Sequence, residues 1–170
     1  MESYRDFPIW IVLYNAVTFG GVIAMGVIIA AQLPLWVFIA YLVLLMLVAA
    51  CLPALVCSRC SYYGHRCAMG VGKVVALVFS KRSEDEFFRT KPQFLIVLLY
   101  LLALILPAIG AIWIFADQPS AWPLAQLAVV LGLLLVGLLP HTKLACAHCR
   151  QGECGACPAG RIVWKRPRAT

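Results

Sequence analysis

The sequence predicts an all-α integral membrane protein: a four-transmembrane-helix bundle with a small Cys-rich cytoplasmic metal-binding region formed by the central loop and C-terminal tail. Three observations predict it. The chain is 64% hydrophobic and only 12% charged, against about 25% charged in soluble domains. Four apolar runs, Pro8–Ala31, Leu33–Val56, Phe94–Ala116 and Trp122–Leu139, lack Asp, Glu, Lys, Arg and His and approach or exceed the roughly 20 residues a bilayer needs. Seven of the eight cysteines sit in two knots, one after the second run and one after the fourth.

Taken in order, residues 1–56 form a first transmembrane hairpin, 57–91 a Cys-rich loop, 92–140 a second hairpin and 141–170 a Cys-rich basic tail. Met1–Phe7 is a polar lead. The first run is too long for the apolar part of a signal peptide and only Arg5 precedes it, so it reads as an anchor. Along it Ala16, Gly20 and Ala24 recur every fourth residue, a stripe that lets helix backbones approach another span or a partner. Asn15 and Gln126 are polar residues in antiparallel spans at opposite depths, and are not expected to pair. Trp10, Trp36, Trp113 and Trp122 mark span ends as an aromatic belt does. Pro53 and Pro107 fall inside spans, where they kink a helix and free a carbonyl.

All fourteen Lys and Arg residues fall on one side of this topology. Arg5 precedes the first span; Arg59, Arg66, Lys73, Lys81, Arg82, Arg89 and Lys91 occupy the loop; Lys143, Arg150, Arg161, Lys165, Arg166 and Arg168 occupy the tail. The positive-inside rule makes that side, with both termini, cytoplasmic, in a bacterial or archaeal cell membrane. The same rule accounts for the +7 net charge, which in a soluble protein would suggest nucleic acid. The basic residues Lys73, Lys81, Arg82, Arg161, Lys165, Arg166 and Arg168 are expected instead to meet anionic headgroups.

Within the loop, Gly70-x-Gly72-Lys73 lacks the spacing and Ser/Thr of a P-loop, and a short interfacial helix fits the segment better. Ser83-Glu-Asp-Glu86 matches a capping box and predicts another brief helix. Pro140 is expected to end the fourth helix.

The knots carry the chemistry. The first is C-x2-C-x6-C (Cys57, Cys60, Cys67), whose fourth ligand is either His65 or a residue lent by the second knot; the second is C-x2-C-x4-C-x2-C (Cys146, Cys149, Cys154, Cys157), which could close a site alone. Two thiolates at C-x-x-C spacing can grip one metal ion from a tight turn. In the reducing cytoplasm such clusters bind metal or do redox work rather than form stable disulfides. His148 is expected to point away from the ligands, His141 to be interfacial, and Cys51 to be a small buried hydrophobe. Zinc is the favoured ion and an iron–sulfur cluster the alternative. Cys157-Pro158 resembles the last ligand of a ferredoxin-type run, and the plan is similar to that of polytopic iron–sulfur electron-transfer proteins. Quinol-coupled thiol oxidoreductases are also four-helix membrane proteins, but their working cysteines face the oxidising side.

These features imply a non-enzymatic membrane module or accessory subunit that binds a protein partner or a second copy of itself. The alternative is a membrane-bound iron–sulfur electron-transfer protein that could serve a quinone. A transporter ranks last, because the spans lack the ionisable groups that mark a pathway.

Overall fold

The fold is that of a computed structural model, which describes residues 4–87 and 90–150. Arg89, Cys154, Cys157, Arg161, Trp164, Lys165, Arg166 and Arg168 therefore lie outside the described residues. All regular structure within them is helical, in five α-helices: α1 (Ile9–Ala30), α2 (Leu35–Leu55), α3 (Gly72–Val78), α4 (Lys91–Asp117) and α5 (Ala121–Leu144). Four of them, all but α3, are long and apolar enough to cross a membrane. A helix satisfies every interior backbone group within its own segment, which hydrocarbon requires.

Each long helix starts at a proline. Pro8 and Pro34 directly precede α1 and α2, and Pro92 and Pro123 lie in the first turns of α4 and α5. An N–H there has no intrahelical acceptor, so proline loses nothing and its fixed φ suits the entry. The hairpins bring the starts of α1 and α4 and the ends of α2 and α5 to one end of the bundle, where the knots lie.

Interior prolines free carbonyls that apolar surroundings cannot satisfy. Pro107 lies inside α4 and leaves Ala103 without its N–H; the Tyr41 hydroxyl donates to that oxygen at 3.1 Å. Pro140 does not end the fourth helix, as its sequence position suggested. α5 runs on to Leu144, and the carbonyl that Pro140 frees, Val136, accepts from the Tyr14 hydroxyl. At Pro107 and Pro140 a tyrosine on a neighbouring helix thus replaces the missing donor; Pro53, inside α2, also frees a carbonyl, that of Ala49.

α1 packs on α4 and α5, while α2 leans on α4 and touches α1 little. The close approach occurs at Gly26, where a Cβ would lie 2.7 Å from the Pro107 ring. Buried clusters join the elements above and below it: Phe19, Val22 and Leu104 in one, Ile29, Ala111 and Val130 in the other. The stripe Ala16, Gly20, Ala24 is not part of this packing. All three are exposed, and no atom lies within 4 Å of a Cβ built on Gly20. Their spacing is right for a seam, but the apolar residues that face the bundle lie on the other side of α1.

Asn15 and Gln126 do not pair. Asn15 donates to the Ala68 carbonyl at 2.9 Å, and its Oδ1 lies 2.9 Å from Nδ1 of His141. Gln126, 2% exposed, has no hydrogen-bond partner among the described residues.

α3 lies across the Cys-rich end with Val75 buried and Lys73, Val74, Leu77 and Val78 exposed, Leu77 at 86%. This is the face expected of an interfacial helix. The brief helix expected after Ser83 is only a 3₁₀ turn, Glu84–Glu86, and Ser83 makes no capping bond. The capping box sits instead at Thr90 and Gln93, where Gln93 Oε1 takes the Thr90 N–H at 3.3 Å.

The two halves of the chain repeat one another. Pro34, Cys57 and Cys60 have the same spacing as Pro123, Cys146 and Cys149, so α2 and α5 correspond from first turn to C-x-x-C. The aromatic residues ahead of α1 and α4 follow suit: Phe7 packs with Ala145 beyond α5, and Phe87 with Val56 beyond α2.

The tyrosine–carbonyl bonds give a direct test. Tyr41→Phe keeps the ring and removes the donor, and should lower stability by about 1 kcal/mol, the scale of interhelical hydrogen bonds in membranes. Thermal unfolding in detergent measures it; an unchanged midpoint would show that the Ala103 carbonyl needs no partner.

A thiol-rich cap at the ends of α2 and α5

The helices α2 and α5 end in the same way. Beyond α2, Val56 (φ −109°, ψ −56°) leads into a 3₁₀ turn, Cys57–Arg59, and Cys60 is extended (φ −79°, ψ 145°). Beyond α5, Ala145 (φ −103°, ψ −57°) leads into Cys146–His148, and Cys149 is extended (φ −83°, ψ 126°). The Cys60 N–H donates to the Cys57 carbonyl at 3.2 Å, and the Cys149 N–H to that of Cys146 at 3.3 Å. In a 3₁₀ turn residues i and i+3 eclipse, so each C-x-x-C carries its two cysteines on one side of a turn fixed to a helix end.

The first turn is held from three directions. Ser58 Oγ donates to the Ala54 carbonyl at 2.7 Å. Arg59 and Gln93 both donate to the Leu55 carbonyl at 2.9 Å. The Arg59 Nε also pairs with Glu86 at 3.1 Å, and the Arg82 N–H reaches the Ser58 carbonyl at 2.9 Å. Arg59 is buried and committed to these contacts.

Tyr62 joins the two knots. Its hydroxyl lies 2.9 Å from the Tyr4 carbonyl and 3.3 Å from that of His148, and accepts the Arg150 N–H at 3.2 Å. The Tyr4 N–H donates to His148 at 3.1 Å, and the Tyr4 ring lies 4.7 Å from the His148 ring. Phe7 completes the layer, its ring 5.2 Å from that of Tyr62. Cys60, Cys67 and Cys149 pack against this buried group of Phe7, Ile11, Tyr62 and Ala145. Burial pushes the Tyr62 hydroxyl up to about 12; the Arg150 N–H opposes that shift, and charge on Cys149 or Cys60 adds to it. The phenol therefore stays protonated through neutral pH and remains a donor.

Of the expected ligands, burial pushes the Cys57 thiol up to about 12, and charge on Cys60 and Cys67 nearby adds to the shift; Cys149 joins Cys60 and Cys67 on the Tyr62 layer. Among the described residues, no group of three or more His, Cys, Asp and Glu side chains is placed to hold a metal ion. His65 lies 3.6 Å from the Asp6 carboxylate. The Arg66 N–H holds that carboxyl below the usual carboxylate range; burial opposes the shift and His65 adds to it. His141 stands in the bundle, bonded to Asn15 with its ring edge-on to Phe19 at 5.5 Å. Cys51 packs beside Val48, Val56 and Phe87. Sequence reasoning missed Tyr62, since nothing separates it from Tyr63 next to it, and Gln93, whose role depends on a carbonyl 38 residues earlier.

Comparison with protein-family models, with curated proteins and with solved structures returned no match.

Tyr62→Phe removes the hydroxyl that bridges the knots while keeping the ring in its layer. Amide hydrogen exchange at Arg150 should speed up by about fivefold, as a net hydrogen bond of about 1 kcal/mol requires. Exchange within α4 should not change. Equal acceleration in both would mean that the substitution loosens the whole protein.

Proposed function

We propose that the chain is a membrane-embedded module whose cytoplasmic cap holds a thiolate metal centre, zinc in a structural role, and presents that cap to a protein partner. The supporting observation is that two C-x-x-C turns of one conformation close α2 and α5 and are tied through Tyr62. Turns already fixed in backbone conformation would leave fewer residues to order when an ion binds, which lowers the entropic cost.

The donor set suits the ion in kind. Soft thiolates select zinc or iron–sulfur over hard cations, and five cysteines lie at this end among the described residues. The pairs Cys57/Cys60 and Cys146/Cys149 are the grips; Cys67, Cys154, Cys157 and His65 are candidates to complete coordination. An ion bound there would lock short loops that have little core of their own. The short α3 and the exposed Lys73, Lys81 and Arg82 would rest at anionic headgroups, with Lys81 also pairing Glu84 at 2.8 Å. Arg59 does not serve the partner or the thiolates in this reading, because Glu86 and Leu55 already hold it.

Elemental analysis and an absorption spectrum of protein purified anaerobically in detergent test the proposal. It requires about one or two zinc ions per chain and no visible absorption, with most of the metal lost in the double variant Cys57→Ser, Cys60→Ser. Iron with acid-labile sulfide would replace this reading with membrane-bound electron transfer. Freely reactive thiols and no metal would remove the centre altogether.

A further inference from the structure

Between α1, α2 and α4, toward the end of the bundle away from the cysteines, lies a cavity of about 450 Å³. That is within the range of about 300–1,000 Å³ typical of small-molecule pockets. Gly26 and Pro107 form part of its floor, Ala40 and Tyr41 its α2 wall, and Trp36 and Trp113, 73% and 70% exposed, part of its rim. The space exists because Tyr41 ties α2 to the Ala103 carbonyl of α4 while α2 stands off from α1. Val130, which stands where the repeat puts Tyr41, is buried against Ile29 and Ala111 and carries no hydroxyl, so the tyrosine tie is a departure from the internal symmetry.

We propose that this cavity seats one acyl chain of a membrane phospholipid, with the glycerol ester region at Trp36 and Trp113. Its walls are glycine, alanine, proline, tyrosine, tryptophan and aliphatic side chains, and the Tyr41 hydroxyl on them is already engaged. Apart from the indole N–H groups of Trp36 and Trp113 at the rim, such a surface offers no free side-chain donor to the head of a quinone or to a polar peptide, and water deeper in it would lack partners. At this depth, beside helices that cross a bilayer, the molecule at hand is hydrocarbon. The two indoles match the other end of a phospholipid, since tryptophan favours the boundary where one side is apolar and the other wet. This inference does not depend on the metal reading.

The test uses the full chain in bilayer nanodiscs of a palmitoyl-oleoyl phosphatidylglycerol, followed by native mass spectrometry. The wild type should retain one phospholipid per chain. Ala40→Phe pushes a ring into the cavity from its α2 wall and should retain about tenfold less, whereas Ala128→Phe, at an exposed alanine on α5 away from the cavity, should retain as much as wild type. A phospholipid carrying a diazirine midway along its acyl chain should also label Tyr41 in the unaltered protein, which needs no variant to fold. No lipid retained by the wild type, equal retention by the two variants, no label on Tyr41, or displacement of the phospholipid by an added isoprenoid quinone would each overturn the proposal.

Discussion

A backbone carbonyl inside hydrocarbon must have a donor, and most of the architecture answers to that requirement. Prolines within α4 and α5 break the internal ladder, and Tyr41 and Tyr14 reach across from neighbouring helices to mend it. The end of α2 meets the same need, with Ser58, Arg59 and Gln93 all donating to its last carbonyls. With no strong hydrophobic drive between helices in lipid, these directed bonds and the close approach at Gly26 fix how the spans sit. Because Gln93 belongs to α4 and Arg59 pairs with Glu86, the bonds that finish α2 also anchor the loop before α4.

The cap inherits its order from those helix ends. Two C-x-x-C turns of the same conformation emerge from α2 and α5, and Tyr62 joins them to each other and to the N-terminal lead. The repeat gives the cap two like grips, while the membrane part breaks that symmetry by holding α2 away from α1. A thiol-rich cap at one end and an apolar cavity toward the other therefore arise from one internally repeated frame.

The spans were legible in the sequence because length and hydropathy act locally. What failed was non-local. Pro140 reads as a helix stop until Tyr14, on another helix, supplies the donor. Ser83 through Glu86 has the letters of a capping box, but Thr90-Lys-Pro-Gln93 has the proline in the first turn and a buried glutamine to hold it. Ala16, Gly20 and Ala24 show seam spacing, yet within this chain the close approach is made at Gly26, and the exposed stripe stays open to a partner. The cysteine clusters were plain from composition. Their junction at Tyr62 was not, because it depends on which face of the loop the helices present to the tail.

The central claim is that the cap gathers thiolates around a metal, and X-ray absorption at the metal edge of the full-length protein addresses it most directly. The account predicts a first shell dominated by sulfur, at about 2.3 Å for zinc. A shell of nitrogen and oxygen at about 2.0–2.2 Å, or no bound metal to measure, would contradict it.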